Sequence, residues 1–103
     1  MSPFLTGDGL RIVGCVWPEG IAQQVHQRHN IEPDEVDEVF TDRPHFRLVE
    51  ESFRPGEAVY VALGQTGAGR YLAVFFTLTS DERARILWAR DMRRGERMKY
   101  EQA

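Results

Sequence analysis

Arg93, Glu96, Arg97 and Tyr100 stand at relative positions 0, 3, 4 and 7, a spacing that puts all four on one side of a helix. Two guanidiniums, a carboxylate and a phenol are side chains that can grip a phosphodiester, offset its developing charge and move a proton. They belong to a longer basic run. From Arg83 to Tyr100 seven basic residues (Arg83, Arg85, Arg90, Arg93, Arg94, Arg97 and Lys99) face only Asp91 and Glu96, a local charge of +5. The whole chain carries −3. This end therefore reads as an anion-binding surface, with a polyphosphate such as RNA as its first candidate ligand. The same residues also fit a solvated helix face stitched by Glu96, and Gly95 lowers helix propensity there.

Other arginines extend the set. Arg70 opens an apolar run after a glycine-rich turn, and arginines at strand ends can hold phosphates at two points. Arg85 and Arg90 differ in strand parity, so they share a sheet face only if Arg90 lies beyond the strand or a bulge intervenes. His29, beside Arg28 at the end of a helical pattern, has an imidazole suited to proton transfer, although a structural histidine has the same appearance. His26 and His29 have a spacing that can place two imidazoles on one metal. With only His45 and Cys15 as distant nitrogen or sulfur donors, no metal site is expected. Gly64-Gln65-Thr66-Gly67-Ala68-Gly69 lacks the Gly-Lys-Ser/Thr ending of a phosphate loop and is flanked by strand patterns, so a hairpin turn is expected.

The opposite charge also has a place. Between Glu19 and Glu57 ten acidic residues stand against Arg28, Arg43, Arg47 and Arg54, a balance of −6. Such asymmetry points to two faces that match each other or to two surfaces with different partners. At 103 residues, 42% hydrophobic and 28% charged, the chain has the composition of one soluble domain able to bury a core without metal or disulfide. Its single cysteine, Cys15, lies in an apolar run and reads as a buried, reduced thiol rather than a nucleophile. The N-terminus has no signal-peptide pattern, and no apolar stretch is long enough to cross a bilayer. A cytoplasmic setting of bacterial type is the expectation.

These side chains need elements to hold them. Residues 1–10 read as a flexible leader, with a single domain over 11–103. Arg11 to Trp17 reads as a short strand, Pro18 to about His29 as a helix burying Ile21, Ala22, Val25 and His29, and a second helix begins at Pro33, buries Val36, Val39 and Phe40, and is stopped by Arg43-Pro44. Phe46 and Leu48 alternate with polar neighbours, Pro55-Gly56 marks a turn, and strands follow over Ala58–Leu63, Tyr71–Leu78 and Ala84–Ala89. Tyr71–Leu78 is nearly all apolar and so central in its sheet. A last helix is expected from about Asp91. The fold class is α+β, in the order β-α-α-β-β-β-β-α, a mostly antiparallel sheet packed by helices.

The order of short motifs resembles the BrnT family of type II toxin–antitoxin systems, a RelE-like ribonuclease group. Trp17-Pro18-Glu19 is similar to the family's Trp-Asp-Pro-Glu opening, Arg28-His29-Asn30-Ile31 to Lys-His-Gly-Val, and Glu38-Val39-Phe40 to its Glu-Val-Phe. Gly56-Glu57, Tyr60-Val61-Ala62-Leu63-Gly64 and Gly69-Arg70-Tyr71-Leu72 follow in the family's order. Arg85-Ile86-Leu87-Trp88-Ala89-Arg90 resembles Arg-Ile-Ile-Ser-Ala-Arg, and Glu96-Arg97 with Tyr100-Glu101 matches Glu-Arg-x-x-Tyr-Glu. Asn30 replaces the usual glycine, the aspartate after Trp17 is missing, and Trp88 replaces a small hydroxyl residue.

The resemblance implies a metal-independent endoribonuclease toxin that needs no cofactor and inhibits translation by RNA cleavage. It also implies a cognate DNA-binding antitoxin as partner, with a homodimer or a toxin–antitoxin heterotetramer as the assembly. Carried onto this chain, it implies His29, Arg90, Glu96 and Tyr100 as catalytic residues, with His29 or Glu96 transferring protons. Arg28, Arg70, Arg85 and Arg97 are implied for RNA binding, and the helix-face spacing adds Arg93 to them. The alternative is a non-catalytic module of the same fold that binds a partner protein or helps regulate transcription. The acidic stretch around residues 32–51 would be its docking surface.

Overall fold

The computed structural model describes residues 12–50 and 58–102. The leader expected over 1–10, the strand start at Arg11 and the turn at Pro55-Gly56 lie outside the described residues. Eight elements follow the expected order: β1 (Gly14–Val16), α1 (Ile21–His29), α2 (Pro33–Thr41), β2 (His45–Glu50), β3 (Val59–Gln65), β4 (Tyr71–Leu78), β5 (Arg83–Asp91) and α3 (Arg94–Gln102).

The local chemistry explains most boundaries. Helix α1 starts at Ile21 rather than Pro18 because Gly20 adopts φ 84°, a left-handed conformation that breaks the helical path. Asn30, at φ 54°, closes the same helix, its N–H donating to the His26 carbonyl at 2.8 Å. Pro33 occupies the first turn of α2, where its missing N–H costs nothing. A reciprocal capping box between Glu32 and Glu35 satisfies the free amides there.

The five strands form one sheet in the order β1-β5-β4-β3-β2. Strands β2 to β5 make the expected antiparallel meander. Strand β1 is the exception, a three-residue edge strand running parallel to β5 with Cys15 opposite Ala84. The two helices carry the chain across one face from the β1 edge to β2, at the opposite edge.

Strand alternation splits the buried side chains into two groups. On the α1–α2 face, Val25, Ile31, Val36 and Val39 pack on Ala62, Leu72, Val74, Phe76 and Ile86. Each fully buried large apolar side chain there contributes about 1.5–3 kcal/mol of transfer free energy. On the other face Val61, Leu63 and Ala73 lie beneath Phe75, Met92 and Tyr100. Strand β4 is central and contributes buried side chains to both faces, which accounts for its continuous apolar run. Gly64 lets α2 sit on β3: a Cβ at this position would stand 2.8 Å from Val39 Cγ1 and 3.3 Å from its carbonyl oxygen.

The last helix begins later than expected. Asp91 is the final residue of β5, and the Met92 N–H continues the ladder to the Tyr71 carbonyl at 3.0 Å. Only at Arg93 does the chain turn into a helix. The Arg93 N–H donates to Glu96 Oε1 at 2.8 Å, and its carbonyl accepts the Arg97 N–H at 2.9 Å.

Candidate functional site

Whether Arg85 and Arg90 share a face is decided at Leu87. Strand β5 pairs with β4 as Arg85 with Thr77 and Ile86 with Phe76, but the next pair is Trp88 with Phe75, so Leu87 is an extra residue. This bulge restores the parity that a regular strand would have broken. Arg90 therefore lies opposite Ala73, and both arginines stand on the α3 face with Thr77, Phe75 and Ala73.

Arg90 is held from two sides. Its Nη1 and Nη2 donate to Glu96 Oε1 and Oε2 at 2.7 and 2.8 Å, a two-point ion pair with side-chain exposures of 17% and 22%. Its Cζ also stands 5.1 Å from the centroid of the Phe75 ring. The hydrogen bonds from Arg90 hold the Glu96 carboxyl below its ordinary pKa, with the Arg93 amide and the nearby guanidiniums adding to the effect. Glu96 is thus an ionised carboxylate that orients a guanidinium.

Tyr100, one turn further along α3, packs edge-on against His45 at 5.1 Å and against Tyr71 at 5.9 Å between ring centroids. Burial raises its phenol pKa first, assisted by the nearby Asp42 charge, so it is a protonated donor at neutral pH. Arg97 lies over the Tyr71 ring at 4.1 Å and reaches Glu101 at 3.6 Å. Arg93 contributes its amide to the start of the helix, and its side chain is exposed.

The two remaining arginines and His29 stand elsewhere. Arg70 turns inward: Nη2 donates to the His29 carbonyl at 2.6 Å, Nη1 to the Asn30 carbonyl at 2.7 Å, and Nε and Nη2 to Asp91 at 2.8 and 3.2 Å. It closes the end of α1 and ties it to β4 and β5. The guanidinium hydrogen bond is the main cause holding the Asp91 carboxyl below its usual range. His29 packs edge-on against Trp88 at 5.6 Å, on the side of the sheet that carries α1 and α2, with Arg28 exposed beside it. The sheet thus stands between His29 and the cluster of Arg90, Glu96 and Tyr100.

Sequence reasoning passed over three residues on the α3 face. Arg47 lies opposite Val61, His45 lies opposite Leu63, and Phe75 follows Ala73 by two along β4. A signal for Arg47 existed, since alternation with Phe46 as an inward residue sends Arg47 to the other face. It was masked by the acidic surroundings of that stretch.

The glycine-rich segment is the expected hairpin turn. Gly69 takes φ 95°, the Thr66 N–H donates to the Arg70 carbonyl at 2.8 Å, and the Gly67 N–H donates to Glu38 Oε1 at 2.8 Å. Cys15 is half-buried, and burial together with the neighbouring Asp37 pushes its thiol up to about 12, which suppresses the reactive thiolate. Among the described residues no three His, Cys, Asp or Glu side chains converge on a metal position, and no helix is long and apolar enough to cross a membrane.

Compared with known families, residues 17–96 match the family model described as ribonuclease toxin, BrnT, of type II toxin–antitoxin system. That span covers most of the chain, from Trp17 to the carboxylate that holds Arg90. A comparison with curated proteins returns no match.

Proposed function

From the premise that the chain belongs to the BrnT family of ribonuclease toxins of type II toxin–antitoxin systems, we propose that it inhibits translation by cutting RNA on the α3 face of its sheet. Cleavage proceeds without a metal ion, and a cognate DNA-binding antitoxin neutralises it. The observation that carries this reading is the convergence of Arg85 and Arg90 on one face through the Leu87 bulge, beside Glu96 and Tyr100.

Metal-free RNA cleavage needs three things: a base for the 2′-hydroxyl, positive charge for the phosphorane-like transition state, and an acid for the leaving oxygen. The guanidinium of Arg90, fixed in direction by Glu96, supplies charge at a set position, and Arg85 adds to the field. Glu96 is a positioning residue here, because a carboxylate tied at two points to a guanidinium is a poor proton acceptor. Tyr100 offers a protonated phenol. His45, in contact with Tyr100 on this face, replaces His29 as the imidazole for proton transfer.

The test is purified protein incubated with a structured RNA in EDTA, with and without ribosomes, beside an Arg90→Ala/Tyr100→Ala variant shown to be folded by circular dichroism. Cleavage by the wild-type protein alone is expected. Absence of cleavage in every condition, or restoration by one divalent metal after chelation, overturns the reading. The exposed acids Asp34 and Asp37 of α2, with Asp42 at its C-terminal cap, favour a second role as the docking face for a basic segment of the antitoxin. We place the protein in the cytoplasm, and light scattering of the co-expressed pair distinguishes a homodimer from a toxin–antitoxin heterotetramer.

A further inference from the structure

A groove of about 240 Å³ opens on the α3 face, lined by Arg47, Leu48, Val49, Val61, Phe75 and the Arg90–Glu96 pair. Its floor is a row across three strands. Arg47 on β2 lies opposite Val61 on β3, which lies opposite Phe75 on β4. Adjacent strands are spaced about 4.8 Å apart, so Arg47 and Phe75 stand roughly 10 Å apart across the row.

We propose that this groove is a subsite for one unpaired nucleotide, its base laid against Phe75 and a flanking phosphate held by Arg47. The inference rests on the ribonuclease reading and names how that site selects its substrate.

Four observations carry it. Phe75 is only partly buried although it lies on the central strand, so part of its ring is available to a ligand. The Arg90 guanidinium stands 5.1 Å from the ring, and a planar base joins such an aromatic–guanidinium pair through its own π-face. The rim beside Arg47 carries Val49, exposed by 46%, an apolar side chain that suits the edge of a base better than a phosphate. At the far end the exposed Arg47 supplies the charge that a backbone phosphate needs.

Size narrows the ligand further. Pockets for drug-sized molecules run from roughly 300 to 1,000 Å³, so this groove takes a single base. A paired base is stacked and hydrogen-bonded in its helix and cannot enter, whereas a splayed base in a single strand can.

The experiment is fluorescence anisotropy of a short single-stranded oligoribonucleotide carrying 2′-O-methyl groups, so that binding is read without cleavage. Each protein is also assayed for cleavage of unmodified RNA in EDTA. Phe75→Leu, which keeps an apolar side chain over Val61 and Ala73, is expected to weaken binding by roughly ten- to a hundred-fold, the range for loss of one base–aromatic stack. Phe75→Trp is expected to retain it. Arg47→Gln, at an exposed position with no packing to lose, is expected to lower the salt slope of binding by about 0.7, the value for one phosphate on a single strand.

If Phe75→Leu and Arg47→Gln bind and cleave as the wild type does, the subsite is wrong while the ribonuclease reading stands. A wild-type protein that cleaves but binds duplex and single strand equally well also overturns the subsite. A protein that neither binds nor cleaves removes both readings. If an acidic, apolar peptide binds in place of the oligonucleotide, and the same substitutions abolish that binding, the groove is a protein-docking surface and the proposal falls.

Discussion

Arg90 and Glu96 are six residues apart, yet each limits what the other can do. A guanidinium bound at two points loses most of its rotational freedom, so its charge is aimed before any substrate arrives. Arg90→Ala removes the charge itself and is expected to lower kcat by roughly 10²–10³-fold, the scale for losing one transition-state donor. Glu96→Gln leaves the charge but frees its direction. The expected result is a smaller loss in kcat with KM nearly unchanged, read from initial rates. Both Glu96 and Asp91 have carboxyls held below their ordinary values, chiefly by the hydrogen bonds from Arg90 and Arg70. Because these folded-state values are depressed, the stabilisation is fully present above the ordinary carboxylate range near pH 4. It is lost as pH falls through the folded-state values. A thermal-melt series from neutral to acid pH should show this loss, and Glu96→Gln should flatten it. Cys15, whose thiol is pushed up to about 12, should react with iodoacetamide at pH 8 far more slowly in the native protein than in urea.

Among the elements, the contacts that set the site are those that fix position rather than bury area. Helix α3 has no fully buried residue, so its place depends on the Arg90–Glu96 pair, the Arg97–Tyr71 stack and Tyr100. Helix α2 is placed by close approach instead. Gly64→Ala forces a methyl group to within 2.8 Å of Val39 Cγ1 and 3.3 Å of the Val39 carbonyl, and should destabilise the fold by about 1–3 kcal/mol in chemical denaturation. Arg70 joins the end of α1 to β4 and β5 through two backbone carbonyls and Asp91. Arg70→Ala should cost about 1–2 kcal/mol, tempered by the solvent exposure of Asp91. Arg70→Lys should recover little of this, because an ammonium cannot reproduce the forked geometry. If either variant instead kept wild-type stability but lost RNA binding, Arg70 would belong to the RNA surface.

For the whole molecule, net charge and local charge act in opposite directions. At −3 overall, the net charge repels a polyanion and salt screens that repulsion beyond about 8–10 Å, whereas the arginines of the α3 face attract it locally. Glu96 offsets Arg90, while Arg47 lines the groove and Arg85 stands exposed on the same face. Two phosphate contacts predict a slope of log K against log salt of about −1.4 for a single strand. A slope several units steeper would mean that RNA follows the whole basic run from Arg83 to Lys99.

Local chemistry was legible in the chain itself. The start of α2 at Pro33, the bounds of β4, the glycine turn and the α+β order all follow from spacing, caps and turn residues, because those signals act within a few residues of their effect. The acidic and basic halves were legible for the same reason. What lay beyond the sequence was phase. The bulge at Leu87 decides which face Arg90 takes, and a bulge is selected by how two strands and their covering helices fit together. Arg70 reads as a phosphate ligand in the chain, and only the fold shows its guanidinium donating to Asp91, 21 residues away, and to two helix-end carbonyls. His29 and Tyr100 are both implied as catalytic by the sequence, and only the fold shows that they pack on different sides of the sheet. Composition and periodicity determined which groups are present and which elements carry them. Long-range pairing decided which of those groups meet, since contact between distant residues depends on the register of the whole sheet.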